Sequence, residues 1–181
     1  MADRSLQALS PRLRACGLDL LRFNFPYRAK ASRRPDPMPM LQAAFVETAE
    51  RARREHAPRR LILGGRSMGG RVATHLAADG YGCDALLLFA YPLHPAGQPA
   101  KLRLAHLERV GVPTLCLNGT NDDLCRQDLM QPVVQSMKSP WRMHWLQGAD
   151  HSFHVRKSSG RSDSQVLDEV QQEIRGWLDG L

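Results

Sequence analysis

The stretch that decides the fold is Leu61-Ile62-Leu63-Gly64-Gly65-Arg66-Ser67-Met68-Gly69-Gly70-Arg71. A short apolar run stops at two glycines, one serine follows, and helical spacing resumes at Val72, Ala73, Leu76 and Ala77. Within it, Gly65 to Gly69 fits G-x-S-x-G. This pattern puts a serine on a tight strand-to-helix turn, where flanking side chains would collide with the strand or the helix. The same glycines also fit an anion-binding turn at a helix N-terminus, although the Gly-Lys-Ser/Thr ending of a phosphate loop is missing.

Outward from this turn, strand-like and helix-like segments alternate. Upstream, Leu6 to Cys16 has helical spacing, Leu18 to Phe25 reads as a strand closed by Pro26, and Arg28 to Pro39 is a basic, proline-rich loop. Leu41 to His56 is an amphipathic helix with Leu41, Phe45, Thr48 and Ala52 on one face. Downstream, Asp84 to Ala90 and Pro113 to Leu117 are continuous apolar runs, as parallel strands covered on both faces require. Lys101 to Val110 and Gln127 to Met137 read as helices and Trp141 to Leu146 as a last strand. A long loop, Gln147 to Arg161, precedes a closing helix, Ser164 to Leu181. Alternation of this kind predicts an α/β fold: a three-layer α/β/α sandwich on a mostly parallel sheet. The 181 residues are expected to form a single domain, 1–181, with no repeat and no internal boundary.

Composition narrows the function classes. The apolar fraction of 43% suits a packed core, and no apolar run approaches the roughly 20 residues that span a bilayer. The start, Met1-Ala2-Asp3-Arg4-Ser5, lacks the apolar centre of a signal peptide, so the cytosol or the nucleus is expected. Cys16, Cys83, Cys116 and Cys125 form no C-x-x-C pair and read as reduced thiols. The net charge of +7 comes partly from Arg28, Lys30, Arg33 and Arg34 and from Arg51, Arg53, Arg54, Arg59 and Arg60. No aromatic residues interleave with the second cluster and no nucleic-acid motif accompanies it. A solvated surface is expected rather than a nucleic-acid site, with an anionic partner as the alternative.

In an open parallel sheet, chemistry gathers beyond the carboxyl ends of the strands. Asp122, in Gly119-Thr120-Asn121-Asp122-Asp123, follows the Pro113–Leu117 strand, and His151, in Asp150-His151-Ser152-Phe153, follows the Trp141–Leu146 strand. A serine hydroxyl needs a base within hydrogen-bond reach and an acid to orient that base. Ser67, Asp122 and His151 occur in the order Ser, Asp, His that such an elbow uses. Asp123 rivals Asp122 for the acid role. Asp122 also suits a turn or a helix cap, and His151 an ordinary loop position. His151 and His154 lack a partner set for a metal, so no metal is expected. Tyr91-Pro92-Leu93-His94-Pro95 follows the Asp84–Ala90 strand. Tyr91 and His94 there, and Arg66 beside the serine, are candidates to line a substrate pocket. A rigid packing loop, and a salt bridge from Arg66, are the alternatives.

The chain resembles the α/β-hydrolase-like family of testis-expressed protein 30 and subunit 3 of the NSL chromatin complex, within the dienelactone-hydrolase-like superfamily. The residues that carry the resemblance are Arg22-Phe23-Asn24-Phe25-Pro26-Tyr27, Gly64 to Arg71, Tyr91 to Pro95, Gly119 to Asp122 and Asp150 to Phe153. The resemblance implies Ser67 as nucleophile, Asp122 as acid and His151 as base, acting on a small ester-type substrate without a cofactor. It implies the backbone N–H of Met68 as one oxyanion donor. A protein partner is implied as the alternative, by way of the NSL-type relatives. Family members begin with further strands, one ending in a His-Gly turn that supplies the second oxyanion donor. No His-Gly sequence occurs here, and the expected fold is therefore an N-terminally truncated α/β-hydrolase fold. Tyr91 or the Phe25-Pro26-Tyr27 loop is the candidate substitute for that donor.

Overall fold

The computed structural model describes residues 4–32 and 34–181; Arg33 of the basic loop and the Met1-Ala2-Asp3 start lie outside them. Four strands, β1 (Ile62–Arg66), β2 (Ala85–Phe89), β3 (Thr114–Gly119) and β4 (Trp141–Leu146), form one sheet in chain order, and every neighbouring pair is parallel. Among the described residues, six α-helices accompany them: α1 (Arg4–Ala15), α2 (Pro26–Ala29), α3 (Met38–His56), α4 (Met68–Ala78), α5 (Gln127–Ser136) and α6 (Asp163–Leu178).

The two-residue period of a strand divides the core. Leu86 and Leu88 of β2 pack with Leu63, Val72, Phe45 and Met130, under α3, α4 and α5. Ala85, Leu87 and Phe89 face the opposite way, toward Leu9 and Leu13 of α1 and Val166, Val170, Ile174 and Trp177 of α6. Both faces of the sheet are therefore covered, and the three-layer sandwich is as expected. Helix α6 begins at a capping box. The Ser162 hydroxyl accepts the Gln165 N–H, and the Gln165 side chain accepts the Ser162 N–H at 2.8 Å. No described helix is long and apolar enough to cross a membrane.

Two expected elements are absent. Leu18–Phe25 forms no strand. Its burial does alternate, with Phe23 and Phe25 turned inward and Arg22 and Asn24 outward. Phe23 meets Phe25 and Phe45 edge-on, with ring centroids 5.2 and 5.1 Å apart. What the segment lacks is a neighbour, because a strand exists only through ladder bonds and no described strand runs beside it. By the same token β1 is an edge strand here. The helix expected over Lys101–Val110 is reduced to a 3₁₀ turn, Leu107–Arg109. The Arg103 N–H bonds across to the carbonyl of Leu93 instead of along its own segment.

The carboxyl ends of β1, β3 and β4 carry the loops that hold Ser67, Asp122 and His151 along one rim of the sheet.

Candidate active site

Ser67 occupies the turn between β1 and α4 with φ 53° and ψ −113°, a left-handed conformation that costs a non-glycine residue energy and marks a built turn. Its N–H donates to the Phe89 carbonyl at 2.9 Å, which continues the β1–β2 ladder one residue past the strand. The turn closes because its neighbours lack side chains. A Cβ at Gly65 would lie 2.9 Å from the Gly69 backbone, and one at Gly64 would overlap the Leu87 carbonyl. Gly69 differs from expectation: a Cβ there would meet open space. The motif's second glycine is needed for its own bareness less than the first.

The His151 Nε2 lies 3.0 Å from the Ser67 Oγ. Its Nδ1 lies 2.9 and 2.8 Å from the two oxygens of Asp122. A buried carboxylate opposite Nδ1 fixes the proton there and leaves the Nε2 lone pair facing the serine hydroxyl. The three side chains thus form one continuous hydrogen-bonded line. Asp123, the rival acid, is not part of it.

The Asp122 side chain is wholly buried. It accepts the Leu124 N–H at 2.8 Å and an N–H from the Asn118 amide at 3.2 Å. Asn118 went unrecognised in the sequence, where it marked only the end of a strand. It is completely buried, accepts the Tyr91 N–H at 2.9 Å and donates to the Tyr91 carbonyl at 3.1 Å. The signal for it was a polar side chain closing the apolar run Leu115-Cys116-Leu117, since such a group is buried only with partners. Asp150 was likewise quoted without a role. One of its oxygens accepts the N–H groups of Ser152 and His154 at 2.7 and 3.0 Å, which shapes the loop that presents His151.

The pocket candidates are distributed differently. Arg66 donates to the His151 carbonyl at 2.7 Å, tying the histidine loop to the elbow. Tyr91 is fully buried, with its hydroxyl 3.5 Å from Thr74 Oγ1 and 3.4 Å from His106 Nε2; burial pushes its phenol up to about 12. The His94 ring is engaged at both nitrogens. Nε2 accepts the Arg126 N–H at 3.2 Å, so the proton sits on Nδ1, 3.0 Å from the Pro95 carbonyl. Met68 opens α4, where its N–H has no intrahelical acceptor. An open cleft of about 1380 Å³ runs past His94, Asp122, Arg126 and Asp150 on the acid's side; Ser67 is not among its lining residues. Among the described residues, no three His, Cys, Asp or Glu side chains are grouped as a metal would need.

A sequence profile of the alpha/beta hydrolase domain matches residues 1–179. The chain belongs to the alpha/beta hydrolase family. Solved structures agree on the fold of this alpha/beta hydrolase. A serine hydrolase homologue from Coxiella burnetii superposes with a TM-score of 0.75 at 20% identity, covering 98% of this chain and 77% of that one. A serine hydrolase without a lid from Xanthomonas campestris gives 0.74 at 21% identity, with 98% and 75% covered. A dienelactone hydrolase from Anabaena variabilis gives 0.66 at 19% identity, with 97% and 78% covered. The chain thus spans about three quarters of each neighbour's length.

Proposed function

We propose that this alpha/beta hydrolase is a serine hydrolase of ester-type bonds. The observation that carries the reading is the 3.0 Å approach of His151 Nε2 to Ser67 Oγ, with Asp122 behind the same imidazole. His151 takes the serine proton as Oγ attacks the substrate carbonyl, and an acyl-enzyme forms on Ser67. The imidazolium then protonates the leaving alcohol or thiol, and a water activated by the same imidazole releases the acid. Asp122 holds the tautomer and balances the transient positive charge. The Met68 N–H, at the positive end of α4, faces the charge that develops on the carbonyl oxygen. The fold shared with the serine hydrolase of Xanthomonas campestris and the serine hydrolase homologue of Coxiella burnetii supports this reading.

A second reading is a hydrolase-fold scaffold whose serine turns over slowly and which serves in a protein complex. Two of the candidate groups for a second oxyanion donor are engaged elsewhere: the Tyr27 N–H donates to Asp36 at 2.9 Å, and the Tyr91 N–H donates to Asn118. A site with one oxyanion donor typically turns over ~10²–10³-fold more slowly than a site with two. The resemblance to testis-expressed protein 30 and NSL complex subunit 3 supports a partner of that kind.

Hydrolysis of p-nitrophenyl butyrate by the wild type and by Ser67→Ala tests the proposal. Turnover abolished by the substitution is expected. Turnover unaffected by it would refute a serine mechanism. A single burst of one equivalent followed by near-arrest would favour the slow, scaffold-like reading.

A further inference from the structure

Phe153 lies two residues beyond His151 with φ 65°, in the same left-handed region as Ser67. For a bulky side chain this backbone is an outlier, and it persists only where the surroundings enforce it. The Phe153 ring is buried in the apolar layer that Leu9 and Leu13 of α1 form with Val166 and Val170 of α6. A hollow of about 180 Å³ beside it is lined by Ser5 and Ala8 of α1 and by Asp163 and Leu167 of α6, which places Phe153 at the seam between the two helices.

The turn that contains Phe153 also presents His151. Ala149 and Val155 pair across it as an antiparallel bridge, so residues 150–154 carry the chain out and back. Inside it the Asp150 N–H donates to the His154 carbonyl and the Phe153 N–H to the Asp150 carbonyl, both at 2.9 Å. In an extended chain His151 and Phe153 would point the same way. The left-handed residue breaks that alternation. The ring goes into the core, whereas the imidazole stands at the rim with Nε2 3.0 Å from Ser67 Oγ. Asp163 accepts the Val155 N–H at 2.9 Å and pairs with His154 Nδ1 at 2.9 Å, and Arg66 holds the His151 carbonyl. Those polar bonds tie the turn to α6 and β1; the Phe153 ring ties it to the core.

We infer that Phe153 is a positioning residue for His151: its ring, held between α1 and α6, enforces the left-handed turn that keeps the imidazole within reach of Ser67 and Asp122. This rests on the serine-hydrolase reading. Without the ring, residue 153 relaxes toward negative φ, the turn opens and the imidazole shifts. A misplacement of about 1 Å costs up to about a hundredfold in rate. The ring faces the core, away from the reacting atoms, so the loss falls on kcat and not on KM.

Variants at Phe153, set against a core control, test the inference. Phe153→Leu keeps a large apolar side chain and should keep kcat on p-nitrophenyl butyrate within about threefold of the wild type. Phe153→Ala should lower kcat at least about tenfold and change KM less than about threefold. Phe153→Val loses less volume, yet its β-branch opposes positive φ; it should fall the same way and serves if the alanine variant does not fold. Ile174→Ala removes packing from the same layer further along α6. It should lower the melting temperature and leave kcat within about twofold of the wild type. A wild-type kcat in Phe153→Ala or Phe153→Val, a loss carried by KM, or an equal loss in Ile174→Ala would overturn the inference. Hydrogen exchange keeps it separable from the hydrolase reading. The amides of residues 150–155 should exchange at least about tenfold faster in Phe153→Val than in the wild type, and at the wild-type rate in Ile174→Ala. Unchanged exchange would overturn the inference whatever the ester shows, whereas a wild type that cleaves no ester would count against the hydrolase reading.

Discussion

The Asn118 amide donates to the Asp122 carboxylate at 3.2 Å while its carbonyl oxygen and the same nitrogen hold the backbone of Tyr91. One buried side chain therefore links the end of β3, the loop after β2 and the acid of the proposed relay. Asn118→Ala is expected to strand the Tyr91 N–H and carbonyl and cost about 2–4 kcal/mol of stability, since buried unpaired polar groups cost about 1–3 each. It should also slow acylation more than it changes KM, because Asp122 loses a bond that orients it. Urea denaturation and ester kinetics on the same preparation would separate the two effects. An unchanged midpoint would refute the structural part.

Gly119 meets the histidine loop so closely that a Cβ would overlap the Ala149 carbonyl. That contact seats the acid loop against the loop carrying His151. Gly119→Ala is therefore expected to separate Asp122 from His151 and lower kcat on p-nitrophenyl butyrate by at least about tenfold, as misplacement of about 1 Å does. A variant with wild-type kcat would show that the two loops tolerate the shift.

The two motif glycines should respond in opposite directions. Gly65→Ala forces its Cβ to within 2.9 Å of the Gly69 backbone and should destabilise by about 1–3 kcal/mol. Gly69→Ala places its Cβ in open space within α4 and should be neutral or stabilising by up to about 1 kcal/mol, since alanine is the better helix former. Melting temperatures of the two variants check this directly.

The stacked pair His75 and His106, with ring centroids 3.6 Å apart, makes stability depend on pH. In the unfolded chain an imidazole binds a proton near pH 6.5, whereas burial and then His75 push folded His106 down to about 3. Between those values the unfolded state binds more protons, so stability is complete above about pH 6.5 and is lost as pH falls toward 3. His75 is shifted the same way by burial and by Arg71. From pH 7 to pH 5 the His106 contribution should fall by about 2 kcal/mol. His106→Gln should flatten that part of the urea-midpoint profile; an identical slope in the variant would contradict the assignment.

Much of this was legible in the chain because local rules and tertiary structure agree there. The apolar runs of β2 and β3 are buried on both faces, so they carry the pattern of interior strands. The helix of Leu41 to His56 lays Leu41, Phe45 and Ala49 inward, so the buried face holds Ala49 where Thr48 was expected, and Ala52 is not buried. What was not legible depends on distant partners. Leu18–Phe25 has the alternation of a strand, but no pattern within it reveals whether a neighbour exists. Arg103 gave up its helix for a bond to Leu93, ten residues away. The serine, aspartate and histidine were visible because each follows a strand. Asn118 and Asp150 were not, because their roles lie in hydrogen bonds to loops rather than in spacing.

The central claim is that Ser67 is made nucleophilic by His151. Its most direct test is the rate of covalent labelling by a fluorophosphonate in the wild type, Ser67→Ala, His151→Gln and Asp122→Asn, with the labelled peptide identified by mass spectrometry. The account predicts rapid modification of Ser67 in the wild type, none in Ser67→Ala, and labelling slowed at least about a hundredfold in the other two. A folded wild type that resists the reagent, or a His151→Gln variant that labels at the wild-type rate, would contradict it.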